Sequence, residues 1–155
     1  MVIPRMSTLE KALQIAAMAH TGQQEKSGQP YITHSLRVMA GVQGLEAQIV
    51  AVLHDVVEDT DTTLDDLREA GFSEAILAAV ACMTHDKSEP YAEYVIRCKE
   101  NELARQVKLS DLADNSRLER TLLRPDRVAS DLARIHRYAL SYKYLTDGLT
   151  QTQYR

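Results

Sequence analysis

A chain of 155 residues with 45% hydrophobic and 26% charged side chains suits one globular domain with a buried core and argues against disorder. A net charge of −4, a pI of about 5.7, 5% aromatics and no Trp exclude a broad nucleic-acid surface, since neither a basic field nor a base-stacking strip is present. No apolar run reaches the roughly 18 residues that a membrane span needs, and the Met1–Arg5 start carries no signal-peptide apolar region. Cys82 and Cys98 lack CxxC spacing and read as small core residues in a reducing cytoplasm.

The elements follow in chain order. Ser7-Thr8-Leu9-Glu10 has the S-x-x-E form of a capping box and opens an alanine-rich helix running to His20. Residues 21–30, TGQQEKSGQP, read as a loop. A helix follows from Thr33 to about Val42, and the next spans Leu45 to Glu58 without interruption. Leu64 to Ala70 makes a short helix stopped by Gly71, and Ser73 caps another that runs to Met83. After a second loop, THDKSEP, two helices fit Tyr91 to Glu100 and Glu102 to Leu118. Pro125-Asp126 starts a last long helix through about Leu145. Its Ile135, Tyr138, Ala139, Tyr142 and Tyr144 suit either the core or a homo-oligomer interface. No stretch alternates with period two, so the fold class is all-α: one helical bundle over residues 1–155.

Three stretches could carry chemistry. HDVVED packs His54, Asp55, Glu58 and Asp59 into one and a half turns. On a helix of about 100° per residue these four share one side, and Leu53, Val52, Val56 and Val57 share the other. A wet amphipathic face gives the same pattern. However, the helix enters from the very apolar QIVAVL, so its polar side should face a cleft, where three carboxylates would repel without a cation. His34 shares a face with Val38 and should point inward, either as a hydrogen-bonded core residue or as a ligand. In KLSDLADNSR, Lys108, Asp111 and Asn115 fall on one face, so Asp111 reads either as a partner of Lys108 or as an oxygen ligand. Together, His34, His54, Asp55 and Asp111 offer two nitrogens and two oxygens. That set suits a first-row transition ion better than Mg or Ca. An ion of that kind acidifies the water it binds, and Glu58 and Asp59 follow Asp55 at the spacing of an acid/base pair.

The pattern H…HD…D, with AH at 19–20, KSGQPYITH at 26–34, AVLHDVVEDTDTT at 51–63 and VKLSDLADNSR at 107–117, resembles the HD-domain metal phosphohydrolases. It is most similar to the hydrolase domain of RelA/SpoT-type enzymes and the stand-alone small alarmone hydrolases, over residues 17–117. The resemblance implies Mn2+ held by His34, His54, Asp55 and Asp111, with Glu58 and Asp59 as catalytic pair. It also implies removal of the 3′-pyrophosphate from ppGpp or pppGpp to give GDP or GTP. By matching position, Lys26, Ser27 and Tyr31 should line the nucleotide pocket and Asn115 should contact substrate, with Lys108 and Arg117 as further phosphate contacts. A small-molecule nucleotide is the implied partner, with neither nucleic acid nor membrane involved. His20, His85 and His136 receive no role, although His20 falls in the matching AH string.

Two positions depart from the family pattern. Glu25 stands where an arginine usually stacks on the guanine, and a glutamate offers no such cation-π contact. Asp114 stands where a histidine is common. Two alternatives therefore stay open: an HD phosphohydrolase acting on another nucleotide or phosphate ester, and a non-catalytic nucleotide-binding helical domain.

Overall fold

The apolar run QIVAVL becomes the centre of the protein. The computed structural model describes residues 7–155, so the Met1–Arg5 start lies outside the described residues. Ten helical segments succeed one another among the described residues: α1 (Leu9–Ala19), α2 (Ile32–Ala40), α3 (Leu45–Leu53), α4 (Val56–Asp59), α5 (Leu64–Glu69), α6 (Glu74–Met83), α7 (Tyr91–Lys99), α8 (Glu102–Asn115), α9 (Val128–Leu145) and α10 (Gln151–Tyr154). They contain no strand, only one isolated bridge between Gln24 and Pro30. The all-α expectation therefore holds.

Every residue of α3 from Ile49 to Leu53 is buried. The helix packs against α1, α2, α6 and α8, so this stretch has no wet face to give up, while Leu45 and Glu46 of the first turn stay exposed. Each fully buried aliphatic side chain there contributes about 1.5–3 kcal/mol relative to exposure. Glycine permits the close approach of α2 to α8: a Cβ at Gly41 would collide with the Ser110 side chain, whose hydroxyl donates to the Val38 carbonyl at 2.8 Å.

Local chemistry moves several boundaries. Thr8, not Ser7, caps α1 and accepts from the Lys11 amide, while Ser7 donates its hydroxyl to the Ala70 carbonyl. The helix expected over Leu45–Glu58 breaks at His54–Asp55. There His54 Nδ1 donates to the Ala51 carbonyl at 2.6 Å, and Asp55 swings to φ −99°, ψ −3°. The helix expected to reach Leu118 ends at Asn115, and the last long helix starts at Val128 rather than at Pro125. Tyr144 is buried and stacks on Tyr154 of the unforeseen α10, with ring centroids 4.6 Å apart. Tyr142 is exposed.

Candidate metal centre and active site

Three elements converge on one point. α2 brings His34, the break after α3 brings His54 and Asp55, and α8 brings Asp111; all four are buried. His34 Nε2 lies 3.1 Å from Asp111 Oδ1 and 3.5 Å from Asp55 Oδ2. His54 Nε2 lies 3.0 Å from Asp55 Oδ2 and 3.5 Å from Asp111 Oδ1. Both rings are anchored from behind: His34 Nδ1 donates to Asp114 Oδ2 at 2.7 Å and His54 Nδ1 to the Ala51 carbonyl. The two Nε2 atoms thus face the two carboxylate oxygens.

The donor set fits a metal ion. His54 Nε2 is buried and, although Asp55 Oδ2 lies 3.0 Å away, makes no aligned hydrogen bond among the described residues, an expensive arrangement unless something else satisfies it. Ligand atoms about 2.1 Å from a shared ion sit about 3.0–3.5 Å apart, the spacing found here. His34, His54 and Asp55 form a group able to hold an ion. The electrostatics agree. Burial opposes charge on His34, yet hydrogen bonds to Asp111, Asp114 and Asp55 push its pKa up to about 10. Burial likewise opposes ionisation of Asp111, but Lys108 and the two imidazoles hold it well below the usual carboxylate range. This corner is built to hold positive charge.

The surrounding residues orient that set. Lys108, buried beneath the rings of Tyr91 and Tyr94, donates to Asp111 Oδ2 at 2.9 Å. Asn115 donates to Asp111 Oδ1 at 3.1 Å. The partnership of Lys108 with Asp111 is therefore real but buried, and it steadies the carboxylate. Tyr31 donates to Asp55 Oδ2 at 2.7 Å, with Asp59 Oδ2 3.3 Å from the same hydroxyl. Burial and the charge of Asp55 keep that phenol protonated far above its ordinary range. His20 packs on the Tyr31 ring at 4.9 Å, and its partner Gln23 donates to the Asp59 carbonyl.

A cavity of about 420 Å3 opens over this corner. Glu58 and Asp59 line it beside Asp55. Partial burial in the cavity wall first, then the charge of Asp55, raises both of their pKa values. Glu58 Oε1 accepts from the His85 backbone amide at 2.8 Å, so the loop at 84–90 fixes one of the pair. Lys26, Ser27, Tyr31, Lys108 and Asn115 also line the cavity. Gly28, at φ +90°, permits the tight turn that presents Lys26 and Ser27. Arg117 does not line it: that side chain bonds the exposed Glu119, with Nη1 3.7 Å from Asp114 Oδ1. His136 is exposed on α9.

Sequence reasoning missed several contributors. His85, Arg120, Arg134 and Tyr138 all line the cavity. The two departures, Glu25 and Asp114, are both buried and share the same arginines. Arg37 bonds Glu25 at 2.5 Å and Asp114 at 2.7 Å, and Arg120 lies 3.3 Å from Glu25 and 2.8 Å from Asp114. Glu25, His34 and Asp114 also lie close enough to hold an ion, but these guanidiniums already supply the positive charge. The missed signal was the excess of arginines near two unusual acids, which a single sequence does not pair.

The sequence profile of the HD domain family matches residues 12–111. The chain belongs to the HD domain family. It is 37% identical over 119 residues to the guanosine-3′,5′-bis(diphosphate) 3′-pyrophosphohydrolase MESH1 of Danio rerio, covering 70% of this chain and 65% of that one. It is 33% identical over 119 residues to an Aquifex aeolicus guanosine-3′,5′-bis(diphosphate) 3′-pyrophosphohydrolase, covering 69% of this chain and 17% of that one. It is 33% identical over 139 residues to the bifunctional (p)ppGpp synthase/hydrolase SpoT of Escherichia coli, covering 79% of this chain and 19% of that one. The chain thus spans less than a fifth of the long relatives. A solved structure described as a metazoan ortholog of SpoT that hydrolyzes ppGpp superposes with a TM-score of 0.71 at 25% identity, over 95% of this chain and 89% of that one. No described helix is long and apolar enough to cross a membrane.

Proposed function

We propose that the protein is a metal-dependent phosphohydrolase that removes the 3′-pyrophosphate from ppGpp or pppGpp, giving GDP or GTP and pyrophosphate. The observation that carries this reading is the convergence of His34, His54, Asp55 and Asp111 around a His54 Nε2 that makes no aligned hydrogen bond among the described residues, with Glu58 and Asp59 alongside. The kinship with relatives named for that hydrolysis supplies the substrate. The unpaired cysteines support a reducing cytoplasmic setting.

In this reading His34, His54, Asp55 and Asp111 hold the ion, Mn2+ by resemblance. When bound, it acidifies water and offsets charge on the phosphates. Water adds its oxygen to the phosphorus on the 3′ oxygen, the bond from that oxygen to phosphorus breaks, and pyrophosphate leaves. Glu58 and Asp59 move the protons: one takes the proton lost by water, and the other guides or supplies the one gained by the 3′ oxygen. Tyr31 holds Asp55 and Asp59 in register, and Lys108 and Asn115 hold Asp111. Lys26 and Ser27 face the substrate's phosphates across the cavity.

One observation favours a second reading. Glu25 is buried against Arg37 and Arg120, so it offers no stacking surface to a guanine, and another phosphorylated nucleotide is then the substrate. A panel of ppGpp, pppGpp, ppApp and 2′-, 3′- and 5′-nucleotides, with Mn2+ or a chelator, separates the readings. The first expects Mn-dependent turnover that is fastest on the guanosine 3′-pyrophosphates. Faster turnover of another nucleotide selects the second. Nucleotide binding without any cleavage would make the domain a sensor.

A further inference from the structure

Arg120 is reached by a tight turn after α8, in which its amide donates to the Arg117 carbonyl at 3.0 Å. Its Nη1 donates to Asp114 Oδ2 at 2.8 Å and to Asn115 Oδ1 at 2.6 Å. Nη2 lies 3.3 Å from Glu25 Oε1. A guanidinium has five N–H donors in a rigid plane. These contacts leave Nε–H and one hydrogen of Nη2 without a partner among the described residues. Arg120 forms part of the cavity wall, whereas Arg37, which binds the same two carboxylates, does not. The two buried acids thus sit in a network of arginines, and one of these cations, Arg120, forms part of the wall of the space a ligand would fill.

We propose that Arg120 is a substrate-binding residue. Its uncommitted donors grip a pair of acceptor atoms on the nucleotide, and Glu25 and Asp114 act as positioning residues that fix its plane. The inference rests on the nucleotide reading of the cavity. Paired acceptors of this kind belong either to a phosphate or to the O6/N7 edge of a guanine. The anchoring through Asn115 to Asp111, and through Asp114 to His34, sets this grip against the candidate metal ligands. A buried acid at residue 25 therefore does not leave the pocket without a planar cation, because Arg120 lines it.

The test is calorimetric binding of ppGpp and ppApp to the Mn-loaded Glu58→Gln protein, with and without Arg120→Gln or Arg37→Gln. Metal content is checked in each variant. Arg120→Gln should weaken ppGpp binding about tenfold or more, and Arg37→Gln should stay within about threefold. Loss confined to ppGpp assigns the grip to the base edge, and equal loss on ppApp assigns it to a phosphate; either supports the proposal. If Arg120→Gln binds as tightly as its parent, or Arg37→Gln loses as much as Arg120→Gln, the contact is refuted and the network is merely structural. If the parent binds neither nucleotide, the nucleotide reading itself falls and takes the assignment with it.

Discussion

The cavity has two walls built from the same residue types with opposite electrostatics. On one, Asp55, Glu58 and Asp59 crowd together, and no arginine among the described residues answers Glu58 or Asp59, so partial burial and repulsion from Asp55 raise the pKa of both. On the other, Glu25 is met by two arginines and Asp114 by three, and His34 and Arg37 pull Asp114 well below the usual range despite its burial. The difference teaches where chemistry is available. A carboxylate matched by guanidinium is a strut, while one left unmatched beside two imidazole nitrogens can bind an ion or move a proton.

The largest effect is expected at the centre. Asp111→Ala should remove bound metal, measured by elemental analysis, and cut turnover to below about one-thousandth of the parent. Next comes the unmatched wall: Glu58→Gln should keep the metal and lose about 10^2- to 10^4-fold in kcat, measured on ppGpp. Full-speed turnover there would erase the distinction between the walls.

The matched wall should fail by stability instead. Asp114→Asn leaves Arg37, Arg120 and His34 short of a partner and should cost about 1–3 kcal/mol by urea melting at pH 7. The sign of its pH dependence is fixed. Because the folded-state pKa of Asp114 is depressed, its contribution is present above the ordinary carboxylate pKa and lost as pH falls below it, so the mutant and parent curves should converge in acid. Glu58 has the opposite sign. Its folded-state pKa is raised, so its stabilising contribution is present in acid and lost as pH rises through that value. The smallest effect follows: in metal-free protein Glu58→Gln should raise Tm by about 1–2 °C at pH 7 and leave it unchanged near pH 4.

Much of this was legible in the sequence because apolar periodicity and ligand chemistry are local. Val38 and Val50–Leu53 read as core and are core. His34, His54, Asp55 and Asp111 read as convergent and do converge. What escaped depends on contacts no window contains. The uniform wheel over Leu45–Glu58 hid the break at His54–Asp55, which arises when an imidazole takes the Ala51 carbonyl. Lys108 read as a partner of Asp111 or a phosphate contact, but its burial under Tyr91 and Tyr94 is a tertiary fact. Arg117 shared a string with Asn115, but two further residues past the helix end turned it outward and brought Arg120 in.

Turnover in 18O-labelled water tests the central claim most directly. Mn-loaded protein should convert ppGpp to equal amounts of GDP and pyrophosphate, with the label in pyrophosphate and none in GDP, because water attacks phosphorus and the 3′ oxygen stays with the nucleoside. Release of orthophosphate, label in GDP, or undiminished turnover after chelation would contradict the account.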